Sequence, residues 1–167
     1  MSTMAKSIGS ELPQDALGLL KPGDLASKRN RVVQIVTVNP EGWPNPALLS
    51  YADIVAKDKK TLHLATWADG ECAADLRHNG RLAALVIDYD MAYYVRGIAK
   101  EVAGVAQDLT DVNQEGGESP LAFFKVRVEQ VFEDRVPTAK VLSGVTFEGT
   151  EVEEQTHREV LRRLLNL

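Results

Sequence analysis

Apolar and polar positions along the chain follow two periods in turn. Leu12, Ala16, Leu17, Leu19 and Leu20 recur at helical spacing. Pro13 suits a first turn and Lys21-Pro22-Gly23 stops the run, so a short helix is predicted over 12–20. From Arg31 the period changes. Val32 to Val38 is β-branched at six of seven positions and apolar on both faces, which predicts a strand covered on both sides. Asn39-Pro40-Glu41-Gly42 is turn chemistry, with Pro fixing φ and Gly supplying a positive one. Asn45 to Ala56 reads as the returning strand. After the polar turn Lys57-Asp58-Lys59-Lys60, Thr61 to Thr66 alternates as a third strand. The order predicts a three-strand antiparallel meander.

Asp69 is placed to cap a short helix through Glu71, Cys72, Ala73, Leu76 and Arg77, with Gly80 just past its end. Leu82 to Ile87 is a fourth strand. Ala92 to Val105 is a fifth, and Gly97 inside it suits a bend at a barrel corner. Gln107 to Ser119 is acidic and aperiodic: a loop, of a role the sequence leaves open. Phe124, Val126 and Val128 alternate with Lys125, Arg127 and Glu129, and the phase slips at Gln130-Val131, which predicts a bulge. Thr150-Glu151-Val152-Glu153 is a capping box opening a last helix. Val160, Leu161, Leu164 and Leu165 form its apolar stripe; Glu154/Arg158 and Glu159/Arg163 pair on its wet face.

These elements predict a mainly β chain, six strands forming a small antiparallel barrel with short flanking helices and a C-terminal helix. Residues 1–11 are expected to be a loose tail and 12–167 one domain. Strands 32–38 and 82–87 are apolar on both faces while one barrel has one interior, so a homodimer burying the other face is expected.

Composition narrows the function classes. The 167 residues are 44% hydrophobic and 26% charged, ordinary for a globular protein. Asp and Glu total 24 against 19 Lys and Arg, a net charge of −5. Such a chain gains little from counterion release, so nucleic acid is not expected as a partner. Apolar runs are strand-sized and residues 1–10 carry no signal-peptide core, so no membrane partner is expected. With one cysteine, Cys72, no internal disulfide can form, which points to a reduced, cytoplasmic protein.

Chemistry-bearing residues are sparse. No GxGxxG, P-loop, GxSxG or HExxH pattern occurs, and no catalytic group is identified. His63, His78 and His157 are too scattered for a metal motif. His157 on the last helix could ligate haem iron, but a solvated helix face is the commoner reason for such a residue. His63 lies on the opposite strand face from Leu62 and Leu64, where a structural hydrogen bond is the simpler reading. Cys72 sits near a helix N-terminus, yet Asp69 and Glu71 oppose thiolate formation, which favours an inert thiol. Trp67 suits stacking on a planar ligand as well as it suits packing; Tyr93, Tyr94 and Trp43 read as packing.

The run Val33 to Pro44 followed by Ala47-Leu48-Leu49-Ser50 resembles the pyridoxamine 5′-phosphate oxidase-like FMN-binding split-barrel family. So does the next unit: Leu62 to Thr66, a helix ending Leu76-Arg77-His78-Asn79, then Arg81 to Val86. The resemblance spans residues 30–105. It implies a six-stranded split barrel of Greek-key type, a homodimer and FMN at the dimer interface. Family members include flavin oxidoreductases, deazaflavin-dependent reductases and haem-handling proteins.

By that resemblance Ser50, Thr66 and Trp67 line the cofactor cleft, with Asn45 and Cys72 at the phosphate positions. The family grips the phosphate with cations from the second strand and the following helix opening. Here those places hold Asn45 and Ser50, then Gly70, Glu71 and Cys72. A phosphate normally relies on charge-assisted bonds, so FMN binding is expected to be weak. Three functions follow, in this order: a flavin-dependent oxidoreductase of unknown substrate, a cofactor-free dimer acting as a small-molecule-binding or structural module, or a haem-handling barrel using His157.

Overall fold

The structure is a computed structural model describing residues 5–23, 28, 30–103, 120–135, 138–148 and 151–167. Its frame is an antiparallel sheet of eight strands. In chain order they are β1 (Lys6–Gly9), β2 (Val32–Val38), β3 (Pro44–Ser50), β4 (Ile54–Ala56), β5 (Thr61–Trp67), β6 (Arg81–Asp88), β7 (Met91–Glu101) and β8 (Leu121–Glu133). Helices α1 (Gln14–Leu20), α2 (Glu71–Asn79) and α3 (Glu151–Leu165) flank it. In space the strands run β3-β2-β6-β7-β8-β5-β4, with β1 also against β8. This is the mainly β split barrel expected, with two more strands than the sequence pattern shows. The acidic stretch 107–119 and the capping-box residue Thr150 lie outside the described residues.

The extra strands arise where the sequence reads as tail and as continuous strand. Lys6–Gly9, expected within a loose tail, pairs with β8 through Ser7 opposite Phe132. The run 45–56, expected as one strand, breaks at Tyr51–Asp53. Asp53 Oδ2 accepts hydrogen bonds from the Ser50 hydroxyl at 2.6 Å and the Ser50 amide at 2.9 Å. The Asp53 amide donates back to the Ser50 carbonyl at 3.1 Å. That local turn moves the chain from one edge of the sheet to the other. β3 stays with β2, whereas β4 pairs with β5. The meander is therefore corrected: β5 lies between β4 and β8, not beside β3. Consecutive strands at opposite edges make the sheet curl.

Pro44 and Pro46 fit because β3 is an edge strand, where a missing N–H leaves no ladder bond unmade. Opposite Arg96 and Gly97 the register jumps from Gln130 to Val128. The bulge thus falls at Glu129, one residue before the predicted slip. Gly97 is required there: a Cβ would lie 2.6 Å from Val126 Cγ1 and 2.9 Å from the Arg127 carbonyl oxygen.

Two apolar clusters hold the fold. The barrel interior contains Val33, Ile35, Leu62, Leu64, Val95, Phe124 and Val126, all fully buried. A second cluster lies outside, where Val160, Leu161 and Leu164 of α3 cover Val55, Ala65, Leu121 and Phe123. Burying each such side chain stabilises by about 1.5–3 kcal/mol. Leu165, assigned to the same stripe by periodicity, is instead exposed. The outer faces of β2 and β6 are only half-buried at Val36, Val38, Ala83, Leu85 and Ile87. Among the described residues no helix is long and apolar enough to cross a membrane.

Candidate functional site

Helix α2 follows β5 after a tight turn and lies against the inner side of β2 and β3. Gly70, rather than the expected Asp69, stands at its N-cap position, with extended backbone. A Cβ on Gly70 would sit 3.3 Å from the Trp67 carbonyl oxygen, so the turn is close-fitting. At the other end Gly80 takes φ +70, and its carbonyl accepts from the Ala99 amide at 2.7 Å. The N-cap residue itself therefore offers the first amides of α2 no side-chain acceptor.

Beneath that opening lies a polar cluster in an otherwise apolar barrel. Thr37 and Asn45 are register partners on β2 and β3, and both point inward. Asp75, one turn after Glu71 on α2, is buried at 3% exposure. Its Oδ2 accepts from the Thr37 hydroxyl at 2.6 Å and from the Asn45 amide at 3.0 Å. The same amide reaches Glu71 Oε2 at 3.3 Å. A buried carboxylate is tolerated when hydrogen bonds replace its water, and here both donors are neutral.

Thr66 and Trp67 end β5 on its two faces. Thr66 is buried, with its side chain beside the Cys72 thiol. Burial pushes that thiol above its ordinary value; the Thr66 side chain pulls it down and the charge of Asp75 pushes it up again. An elevated thiol is a poor nucleophile, in keeping with the inert reading. Trp67 keeps 41% of its surface exposed beside the α2 opening. Ser50 stands apart from Asn45, about 17 Å along the strand, with its hydroxyl committed to Asp53. The structure thus groups Asn45, Thr66, Trp67 and Cys72 around α2 and gives Ser50 a turn-forming role.

Sequence reasoning missed Asp75 and Thr37. Thr37 looks like one more β-branched strand former. The available signal was Glu71 and Asp75 at i,i+4, a carboxylate pair on a short helix whose neighbours Cys72 and Leu76 are buried.

Cations are held elsewhere. Arg77 closes on Glu101 with two bonds of 2.7 and 2.6 Å and also donates to the Ala68 carbonyl. Arg31 pairs with Asp88, six residues from Thr37 along β2, or roughly 20 Å. Lys28 donates to the Lys21 carbonyl. His63, on the outer side of β5, bonds the Leu164 carbonyl through Nδ1 at 2.6 Å, the structural role expected of it. His157 is half-buried on α3. Among the described residues no group of three or more His, Cys, Asp and Glu side chains is placed to hold a metal ion.

Comparison with known proteins agrees with this architecture. Residues 25–134 match the family described as pyridoxamine 5′-phosphate oxidase. The uncharacterized protein YclD of Bacillus subtilis is 26% identical over 140 residues, covering 84% of this chain and 85% of that one. A candidate pyridoxamine 5′-phosphate oxidase of Lactobacillus delbrueckii superposes with a TM-score of 0.55 at 18% identity, over 79% of this chain and 99% of its own. A FAD-binding protein of Mesorhizobium loti gives a TM-score of 0.52 at 19% identity, over 81% and 99%. At these identities the solved structures establish a shared fold.

Proposed function

The chain belongs to the pyridoxamine 5′-phosphate oxidase family, and from that premise we propose that it is a flavin-type split-barrel protein, an oxidoreductase of unknown substrate. The observation that carries the reading is the opening of α2: an N-cap glycine without a side-chain cap, beside a half-exposed Trp67 and the buried Thr66 hydroxyl. A flat aromatic ring can stack on the indole there while the helix N-terminus faces its polar edge. The residues present fit the ring of a flavin. They do not fit the phosphate of FMN, because the Asn45 amide is already bound by two carboxylates, while Arg77 and Arg31 are held by Glu101 and Asp88. Redox chemistry would come from the flavin, with the chain positioning the ring.

We place the partner face on β2, β3 and β6. Pro44, Pro46 and Leu48 of β3 are exposed and continue the half-buried outer faces of β2 and β6. A second copy covering this face makes a homodimer, read as twice the chain mass in light scattering. Cys72, free of any disulfide, suits a reducing cytoplasm.

Titration of riboflavin into the purified protein tests the ligand reading through quenching of flavin fluorescence. Saturable quenching is expected, and Trp67→Ala should weaken it about three- to tenfold, the worth of one aromatic stack. Absence of quenching at about 100 μM protein would favour the second reading, a cofactor-free dimer that binds another small molecule. The acidic pair Glu71 and Asp75 is the observation on that side.

A further inference from the structure

We propose that Asp75 sets the ligand class of the α2 cleft: its carboxylate takes the donors a phosphate would need, so the cleft receives a flavin ring that carries no phosphate. The inference rests on the flavin reading above and narrows it from flavins in general to the uncharged, riboflavin-like kind.

The carboxylate cannot step aside. Thr37 is fully buried and Asp75 is 3% exposed, so the pair is sealed between α2 and β2. Register fixes the donors, because Thr37 and Asn45 face each other across β2 and β3. Asp75 stays on the inward face of α2 through its buried neighbours Cys72 and Leu76. A phosphate arriving at the opening meets an amide that already serves Asp75 at 3.0 Å and Glu71 at 3.3 Å. It would share that amide with two like charges. The helix end offers only about half a positive charge in return. Arg77, which reaches back towards the turn, is closed on Glu101. A neutral ring meets none of this opposition and keeps its stack on Trp67. The cluster is thus a built-in anion in the place of an external one.

The test measures riboflavin and FMN separately, by fluorescence titration at low salt, on the native protein and on Asp75→Asn. That substitution removes the charge and keeps the shape. The native protein should bind riboflavin at least about tenfold more tightly than FMN. In Asp75→Asn the FMN constant should tighten about tenfold while riboflavin moves less than about threefold, and added salt should shrink the difference. A native protein that prefers FMN overturns the inference and leaves the flavin reading standing. A folded Asp75→Asn with an unchanged ratio also overturns it, because Asp75 then only holds the helix. Failure of the native protein to bind either flavin removes the flavin reading, and this inference with it. Should Asp75→Asn not fold, Glu71→Gln at the exposed mouth decides instead: a severalfold gain for FMN alone supports the inference, and no gain overturns it.

Discussion

Helices α2 and α3 each dock on the barrel through a buried polar side chain, yet the two seams are built on opposite terms. Under α3 the contact is apolar, with Val160, Leu161 and Leu164 against Val55, Ala65, Leu121 and Phe123. One histidine interrupts it, and it serves the helix: His63 bonds the Leu164 carbonyl, one of the last-turn acceptors that no helical amide can reach. Asn166 takes the two before it, the Arg162 carbonyl with its side chain and the Arg163 carbonyl with its backbone amide. Under α2 a full charge is buried, and neutral donors from two strands hold it. The first arrangement stabilises. The second gives up apolar packing to fix a chemical character beside an open helix end, and such local conflict with the folding pattern is where function is usually found.

Three substitutions and one titration sharpen the contrast. The largest loss is expected on the apolar seam. Leu164→Ala empties a fully buried site, and denaturant unfolding should show a loss of about 2–5 kcal/mol with flavin selectivity unchanged. On the polar seam, Thr37→Val keeps the volume but leaves Asp75 a single donor; a smaller loss of about 1–3 kcal/mol is expected. Equal losses at the two positions would erase the distinction between the seams.

The smallest effect is a slope. Burial holds His63 below the ordinary imidazole value; the Leu164 bond opposes this, Lys125 and Lys57 add to it, and Asp58 opposes it. A lowered folded value means that the neutral ring belongs to the docked helix. Its stabilisation is complete above pH of about 6.5 and is lost as pH falls through the lower folded value, since the unfolded chain protonates first. Melting temperature should therefore fall on mild acidification, less steeply in His63→Gln. An identical slope in that variant would assign the acid sensitivity to other groups.

Much of the fold was legible in the chain because the signals were local. The β-branched run 32–38, the Gly42 turn at φ +88, the alternation at 124–128 and the α3 stripe each depend on neighbours a few residues away. His63 was readable for the same reason, since strand alternation alone puts it on the outer face. The break at Ser50–Asp53 was less so. A serine and an aspartate three residues apart look like any polar pair, and only the β5 partner makes the break a change of edge. β1 is four exposed residues whose reason to be a strand is the free edge of β8 beside it.

The candidate site divides along the same line. Residue identities around α2 showed at once that the cations of the family pattern were absent, because charge is a property of the residue itself. What replaced them was not visible. Thr37, Asn45 and Asp75 are up to 38 positions apart and become one hydrogen-bonded unit only when β2 and β3 pair and α2 closes over them. Sequence alone determined the periodicity, the turns and the sign of the charge, since these rest on short-range sterics and composition. Tertiary structure alone decided which strands meet and which buried carboxylate finds its donors, because those outcomes depend on long-range pairing and on the removal of water.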